Sequence, residues 1–356
     1  MNLQYSPVFE CPSETAVHCR WIFYITHFEI VAMLLEVPSF LLAIYLAVKS
    51  PFHYNLTFIG LFMLLGYYVY LVGRFITCLY EIGVLTFTDD ENKPERKYPV
   101  SLIVSSFLQF FYMGCACGIS LAAAFERFFA TYFVDTYETR KRKWIPLLVC
   151  SELTVTCSLS ALIMLFDFLP ISIIAFFGVF VSCTAFIFYL VLFMMNHKRL
   201  QKIQEERVND KYTLSVRFQL AENLKVMTLL RNVVIFSGVN NLVMGIILTL
   251  YMSKPFQSSH PILTLYLHFA FNMCTILYSF LTLVIMVFSV KQYRVYFFSL
   301  RFVRLIMFPI VGKCFPNEFK SNVVAVEKLT ISAETDCYFS NLSNQWDKKF
   351  DQRISL

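Results

Sequence analysis

Residues Val100–Lys143 read VSLIVSSFLQFFYMGCACGISLAAAFERFFATYFVDTYETRKRK, an apolar run that ends at Glu126-Arg127 and is followed by a basic segment. Before that pair the run carries no charged residue. It is long enough to cross the hydrocarbon core of a bilayer, which is about 30 Å thick and needs roughly 20 apolar residues. Because cytoplasmic loops carry the excess of Lys and Arg, the basic segment predicts that Glu126 and Arg127 lie at the cytosolic end of a membrane helix.

The composition of the whole chain excludes an ordinary soluble protein. Of its 356 residues, 58% are hydrophobic and 17% are aromatic, whereas only 15% are charged. The 39 phenylalanines exceed what a soluble core of this length needs, so we assign the excess to surface that faces lipid. The net charge of +6 is expected to lie on one side of a membrane and not to bind nucleic acid.

Seven apolar segments are long enough to span a bilayer, and short connections join most of them. The sequence therefore predicts an all-α membrane protein, a seven-transmembrane helix bundle. The predicted spans are Tyr24–Val48, Leu56–Leu79, Val100–Phe125, Pro146–Phe166, Ile171–Met195, Val226–Met252 and Ile262–Val290. No cleavable signal peptide is expected, because the first 20 residues have no apolar core.

Orientation follows from the distribution of Lys and Arg between alternating loops. About five cations lie in the N-terminal segment and the even-numbered loops, against about two dozen in the odd-numbered loops and the C-terminal tail. The N-terminus is therefore expected outside and the C-terminus in the cytosol. Residues 1–23 are predicted to be a short extracellular segment, 24–290 the bundle, and 291–356 a cytoplasmic tail.

The beginning of the tail is predicted to form an amphipathic helix at the inner membrane surface. Lys291, Arg294, Arg301 and Arg304 recur at helical spacing on one side, with Phe and Val elsewhere. Anionic lipid attracts such a segment by about 1 kcal/mol per cation. The alternative is a frayed end of span seven.

Ionisable residues within spans are candidates for function, because a charge in lipid is costly. Glu29 and Arg74 come to similar depth on antiparallel neighbours, so an ion pair between spans one and two is expected. Tyr67, Tyr70 and Glu81 share the Arg74 face of span two. The pair either docks the two helices or contacts a ligand, and docking is favoured because an unpaired buried charge would be costly.

A ligand cavity that opens to the outside is a further hypothesis. In span seven, His268 and Asn272 lie one turn apart on one side, in the outer half. Together with Tyr67, Tyr70 and Arg74 they are predicted to line this cavity. The alternative is that His268 and Asn272 merely hydrogen-bond a neighbouring helix. Three other polar residues in the spans are given a structural role: Glu152, Asn240 and Asn241.

Catalytic and metal-binding patterns are missing from the sequence. The six histidines are scattered without a His-x-x-x-His pair, and there is neither a glycine-rich phosphate loop nor a Gly-x-Ser-x-Gly turn. We therefore expect no enzyme, no metal and no cofactor. Most of the eleven cysteines fall in apolar runs, although a bridge among Cys11, Cys19 and Cys78 on the oxidising side remains open.

Three stretches together resemble the serpentine receptor class epsilon (Sre) family of nematode chemoreceptors. They are Phe52–Leu56, Glu126–Arg142 and Ser215–Asn223, which read FHYNL, ERFFATYFVDTYETRKR and SVRFQLAEN. The similarity extends through the seven-span region. It implies a receptor of the G-protein-coupled type, with a small-molecule or pheromone-like ligand, a heterotrimeric G protein as partner, and a place in the plasma membrane of sensory neurons.

The chain departs from the large rhodopsin-like group of receptors. Span seven lacks Asn-Pro-x-x-Tyr, span six has no proline, and span three begins without a cysteine. A rhodopsin-style switch is therefore not carried over. The alternative function is a membrane transporter or channel, which needs polar residues along a pore or broken helices with an inverted repeat.

A different switch is predicted at the cytosolic end of span three. Glu222 lies about one turn before span six, where its carboxylate is placed to accept a charge-assisted hydrogen bond from Arg127. Such a bond ties spans three and six together in the resting state and marks Glu126, Arg127 and Glu222 as coupling residues. The alternative is that Arg127 extends to lipid headgroups.

Overall fold

The computed structural model describes residues 16–48, 53–85, 99–134, 137, 142–205, 214–289 and 291–300, and at a few of these positions the backbone alone. This part of the chain is helical and contains no strand, which confirms the predicted all-α class. The helices are α1 Ala16–Val48, α2 Tyr54–Glu81, α3 Val100–Tyr132, α4 Trp144–Leu165, α5 Ile171–Glu205, α6 Leu214–Met252, α7 Lys254–Ser259, α8 Pro261–Ser289 and α9 Lys291–Ser299.

Seven of the described helices are long and apolar enough to cross a membrane, as predicted. Helical backbone satisfies its own hydrogen bonds, which lipid cannot do for it. Large apolar side chains such as Leu35, Phe176 and Ile187 are exposed on the outer surface, where lipid would cover them. The spanning segments are Phe23–Val48, Tyr54–Glu81, Val100–Tyr132, Trp144–Leu165, Ile171–Ile203, Val226–Met252 and Ile262–Ser289.

Small residues set the closest approaches between helices. A Cβ at Gly118 of α3 would lie 2.5 Å from Leu153 Cδ1 of α4, and one at Gly114 would lie 3.2 Å from the Cys157 sulfur. Glycines four residues apart let two membrane helices come into backbone contact. In the same way Gly73 of α2 meets α3, since a Cβ there would lie 2.9 Å from the Ser105 carbonyl oxygen.

The connection between α4 and α5 is short, and Asp167 within it adopts a left-handed backbone with φ 52°. Aspartate tolerates this conformation better than most residues. The reversal therefore takes place without a segment long enough to cover the bundle. Despite being neighbours in sequence, α4 and α5 contact each other little, whereas each packs extensively on α3.

The last part of the chain, Val287–Leu356, forms a compact unit of its own. Within it the structure describes α9, so the segment predicted as an amphipathic helix is helical over Lys291–Ser299. Arg301 and Arg304 lie outside the described residues, and the position of α9 at a membrane surface stays a prediction.

The structure reduces the set of cysteines that could form the disulfide left open by the sequence. Cys78 is a buried free thiol, so it takes part in no bridge. The side chains of Cys11 and Cys19 lie outside the described residues.

Candidate functional site

The Arg74 cluster lies near the side of the bundle at which α1 begins. We define it as Glu29, Arg74, Glu81, His268 and Asn272. Arg74 Nε and Nη2 donate to the two oxygens of Glu29 at 2.6 and 2.8 Å, and Nη1 donates to Glu81 Oε1 at 2.8 Å. His268 Nε2 lies 3.2 Å from Glu81 Oε1, and Asn272 Nδ2 lies 3.2 Å from the same ring nitrogen. The cluster joins α1, α2 and α8 and includes the ion pair expected between spans one and two.

The arginine of this cluster is fully enclosed. The side chains of Arg74 and Glu29 have no exposed surface, and Glu81 is 1% exposed. A guanidinium fork matches a carboxylate with two parallel bonds, and two such partners replace the water that burial removes. Removal of the Arg74 guanidinium would leave two buried carboxylates without a cation. This geometry supports the docking interpretation over ligand contact.

Three donor groups in the same place resemble a metal-binding set. Ligand atoms of Glu29, Cys78 and Glu81 all lie within 4.8 Å of one another. Both carboxylates, however, accept hydrogen bonds from Arg74. A metal ion there would face the guanidinium charge at close range, and like charges repel. We therefore assign the two carboxylates to Arg74 and not to a metal ion.

Tyr67 and Tyr70 pack in an aromatic core next to the Arg74 cluster. The Tyr67 ring stacks on Phe40 with centroids 4.1 Å apart, and Tyr70 lies 5.1 Å from Tyr112. The Tyr67 hydroxyl donates to Glu36 Oε2. These rings fill the space in which the sequence predicted an outer cavity, and both tyrosines are 1% exposed.

The predicted outer cavity is therefore not found at its five residues. The structure does bring Tyr67, Tyr70, Arg74, His268 and Asn272 together, but each of them is at most 2% exposed. The prediction placed these side chains on the correct faces and at matching depth. It did not account for the volume of the aromatic rings, which leaves no opening.

The Arg127 cluster lies at the opposite side of the bundle, where α3 ends. We define it as Asn55, Glu126, Arg127, Tyr137 and Asn223. Arg127 Nη2 donates to Glu126 Oε1 at 2.6 Å, and Nη1 donates to Asn223 Oδ1 at 2.9 Å. The Tyr137 hydroxyl donates to Glu126 and accepts from Asn55 Nδ2 at 2.9 Å. The cluster thus ties α2, α3, α6 and the segment after α3 to one another.

The predicted bond between Arg127 and Glu222 stays a prediction, and the described side chains show a different contact between α3 and α6, made by an amide. Asn223 accepts from Arg127, whereas the side chain of Glu222 lies outside the described residues. Arg127 is 3% exposed, so it does not extend to lipid headgroups, which was the alternative interpretation. Burial and the Glu126 carboxylate raise the pKa of Tyr137 well above its ordinary value, so its hydroxyl remains a donor at neutral pH.

A second layer of neutral hydrogen bonds adds α5 to this cluster. Thr131 Oγ1 accepts from Asn196 Nδ2 at 2.8 Å and from Asn223 Nδ2 at 3.3 Å. The same hydroxyl donates to the Arg127 carbonyl oxygen at 2.8 Å. Thr131 is therefore the point at which α3, α5 and α6 meet. Thr131 lies within the Glu126–Arg142 stretch that carries the family resemblance, whereas no sequence pattern marked Asn196.

A cavity of about 470 Å³ lies between α3, α4, α5, α6 and α8. Most of its lining is apolar, and the Arg74 cluster contributes nothing to it. Its volume falls within the range of small-molecule sites in proteins. Apolar residues of the lining include Met113, Met164, Val179, Met244, Leu248 and Phe271.

Few polar groups reach this cavity, and sequence reasoning gave them a structural role only. That role fits Asn241, which donates to Ser182 Oγ at 3.0 Å. Glu152 and Asn240 line the cavity as well, so their role extends beyond docking of helices. A signal for Glu152 was present in α4, because Glu152, Thr156 and Ser160 recur every four residues and share one face.

Comparisons with known proteins point to one family. The family model for the Sre G protein-coupled chemoreceptors matches residues 11–347. Serpentine receptor class epsilon-1 of Caenorhabditis elegans is 68% identical over 358 residues, which cover 100% of both chains. Serpentine receptor class epsilon-2 of the same organism is 26% identical over 90% of this chain and 89% of its own length. Serpentine receptor class epsilon-26 is 26% identical over 87% and 90%, respectively.

Proposed function

The chain belongs to the Sre family of G protein-coupled chemoreceptors, and from this premise we propose that it binds a small external cue and activates a heterotrimeric G protein. It is a multi-pass membrane receptor of the G-protein-coupled type. We further propose that the cue is a small or pheromone-like molecule. We also propose that the receptor activates a heterotrimeric G protein and lies in the plasma membrane of sensory neurons.

One observation supports the proposal most strongly: α3 and α6 contribute both to the cavity and to the Arg127 cluster. Leu121 lines the cavity, and Arg127 follows it by six residues, which is about 9 Å along the helix. A molecule that shifts α3 or α6 at the cavity therefore shifts one partner of the Arg127–Asn223 bond.

The proposed switch is the Arg127–Asn223 hydrogen bond. In the resting packing it holds α3 to α6, and its loss lets the two helices separate at the side predicted to be cytosolic. A hydrogen bond between a charged donor and a neutral acceptor contributes about 1.5 kcal/mol. That amount biases a two-state bundle without locking it. A cue activates the receptor if it binds the separated packing more tightly, since equal affinity for both packings shifts nothing.

The cavity is tested by filling it. Cells that express the receptor are screened with small-molecule and pheromone-like pools, with calcium or cyclic nucleotide as readout. Thr156→Phe places a ring in the cavity, and Val155→Phe adds the same ring one position along, on a side chain that is 59% exposed. We expect Thr156→Phe to lose the response at equal surface expression and Val155→Phe to keep it. A response that survives Thr156→Phe places the cue elsewhere.

Coupling is tested without any cue. Membranes that contain the receptor are mixed with each class of purified heterotrimeric G protein, and basal nucleotide exchange is measured. We expect exchange above that of receptor-free membranes with at least one class. If neither the natural chain nor Asn223→Ala accelerates exchange on any class, the G protein step is wrong.

A further inference from the structure

Glu152 is the single charged residue of α4, and it lies deep within the span. It is eight residues from the first residue of the helix and thirteen from the last, which is about 12 Å and about 20 Å along the axis. A glutamate side chain is too short to reach either membrane surface from there. A carboxylate in this position is costly unless a partner compensates it.

The described part of the chain supplies no cation for this carboxylate. Among the Lys, Arg and His residues whose side chains the structure describes, none lies within ion-pair distance of Glu152, which is exposed on α4 and lines the cavity. Its described hydrogen bond comes from Thr156 Oγ1 at 3.2 Å, and this hydroxyl belongs to the same helical face. The Arg74 and Arg127 clusters, in contrast, pair every described buried carboxylate that they contain with a guanidinium.

A second polar group lines the cavity on α6, at a depth in the bundle similar to that of Glu152. Asn240 lies twelve residues before the end of α6, about 18 Å along the axis, and it lines the same cavity. Among the described residues its amide has no hydrogen-bond partner, whereas the next residue, Asn241, is bonded to Ser182. From this depth the apolar lining of the cavity continues to Met164, near the last residue of α4. That end of α4 lies at the same side of the bundle as the beginning of α1.

We infer that the cavity binds a small molecule with one protonated amine and an apolar alkyl or aryl body, and that Glu152 is its counter-charge. The inference rests on the proposed function, whose cue site it specifies. The ammonium group lies against the Glu152 carboxylate, Asn240 offers its amide oxygen to a remaining N–H, and the body lies along the apolar lining. A charge pair in a site of low dielectric compensates both desolvated ions, which a neutral or anionic guest cannot do.

The binding test uses three probes of one shape: 4-phenylbutylamine, 4-phenylbutanol and 4-phenylbutyrate. Full-length receptor is purified into nanodiscs of phosphatidylcholine, and binding is measured by ligand-observed NMR and by the shift in Tm. We expect the amine to bind at least 10-fold more tightly than the alcohol, because a partly solvated charge pair contributes about that factor. The carboxylate probe should bind more weakly than the alcohol.

Variants of α4 and α6 assign the preference to its residues. Glu152→Gln keeps the shape and should reduce the amine to the affinity of the alcohol, whereas Glu152→Asp keeps the charge and should keep the preference. Asn240→Ala should weaken the amine by a few-fold. Ser151→Ala changes the neighbouring residue, which is not part of the lining, and serves as the matched control.

Three results would overturn the inference. Equal affinity for amine and alcohol, or a preference that survives Glu152→Gln, removes Glu152 as counter-charge. If none of the probes binds and native mass spectrometry finds a phospholipid retained unless Thr156→Phe is present, the cavity is a lipid site. A receptor that responds to a cue but fails these tests keeps its proposed function. Glu152-dependent amine binding without exchange on any G protein class overturns the proposed function instead.

Discussion

Each of the two clusters buries an arginine, but the positive charge of that arginine is compensated in different ways. Arg74 holds carboxylates from its own helix and from α1, so a full charge pair crosses between helices. Arg127 is neutralised by its sequence neighbour Glu126 on α3, and its link to another helix is the neutral amide of Asn223. Separation of α1 from α2 would uncover charge, whereas separation of α6 from α3 would not.

This difference indicates which side of the bundle is built to move. Taking one partner from a buried ion pair costs about 3–5 kcal/mol, because the remaining charge has no compensation. Breaking a hydrogen bond to a neutral acceptor costs less, about 1.5 kcal/mol. We therefore treat the Arg74 cluster as a fixed joint of α1, α2 and α8, and the Arg127 cluster as the movable one.

The largest effect concerns which cluster faces the cytosol. The charge distribution predicts that Cys11 is outside and Cys337 inside, and both residues lie outside the described part of the chain. After treatment with a membrane-impermeant phosphine, which reduces any bridge at Cys11, membrane-impermeant maleimide should label Cys11 on intact cells and Cys337 only after permeabilisation. Labelled peptides are identified by mass spectrometry. Labelling of Cys337 on intact cells would reverse the sides and remove the Arg127 cluster as the G protein side.

Loss of the Arg74 guanidinium should have the next largest effect. Arg74→Ala leaves Glu29 and Glu81 buried without a cation, so we expect a destabilisation of about 3–5 kcal/mol and little receptor at the surface. Surface biotinylation measures the outcome. The matched control is Arg231→Ala, which removes an exposed arginine of α6 and should leave surface expression within about two-fold, as for other exposed sites.

A double variant tests the contact itself. Glu29→Gln alone should also reduce surface expression, and Arg74→Ala with Glu29→Gln should lose less than the sum of the two. The reason is that the second change removes a carboxylate that the first one strands. Strict additivity of the two losses would show that Glu29 and Arg74 do not interact.

Loosening the α3–α6 link should raise signalling without a cue. Asn223→Ala removes the acceptor of Arg127 and strands no full charge, so the ratio of the two packings should shift roughly 10-fold towards the active one. Asn223→Asp offers a carboxylate in the same place and should keep basal output at or below that of the natural chain.

Basal nucleotide exchange per receptor at the surface measures both variants. Thr228→Ala is the control on α6, because the Thr228 hydroxyl donates only to the Leu224 carbonyl oxygen of its own helix. Unchanged basal exchange in Asn223→Ala would mean that this bond does not restrain the resting packing.

The smallest effect is expected at Tyr137. Tyr137→Phe removes the donor to Glu126 and leaves Asn55 Nδ2 without its acceptor, at a cost of about 1 kcal/mol in unfolding free energy. Because the folded protein raises the pKa of Tyr137, this contribution is complete below about pH 10, where the free phenol titrates, and declines above it. Chemical denaturation of both chains at pH 7 and pH 9 should therefore give the same difference. A difference that falls between these two pH values would contradict the assignment.

Much of the architecture was accessible from the sequence, because lipid imposes strict rules on it. Length and polarity alone fix the seven spans. The pairing of Glu29 with Arg74 followed from depth in two antiparallel helices, and Glu81 was already on the Arg74 face, two turns along. Closeness of Arg127 to the start of α6 followed from the same counting.

What escaped prediction depends on side-chain volume and on small rotations. Successive residues of a helix are rotated by about 100°, so counting along α6 does not single out Asn223 as an acceptor for Arg127 without the packing of α6 against α3. The cavity escaped for a related reason. Tyr67, Tyr70 and Tyr112 fill the space near Arg74, whereas the side chains that face one another between α3, α4, α5, α6 and α8 leave a gap, and a count of polar residues does not register missing atoms.

The glycine contacts of α3 decide which dimension of a guest the receptor measures. At Gly114 and Gly118, α4 lies directly against α3, whereas α5 and α6 pack on each other and on α3, and α5 touches α4 little. We expect a wider guest to displace α5 and α6, since α3 and α4 are held in close contact at their glycines. Asn196 lies on α5 and Asn223 on α6, so a displacement of these helices changes their hydrogen bonds to Thr131 and Arg127 of α3. If the proposed cue binds in this cavity, we expect the response to depend more on the width of the guest than on its length.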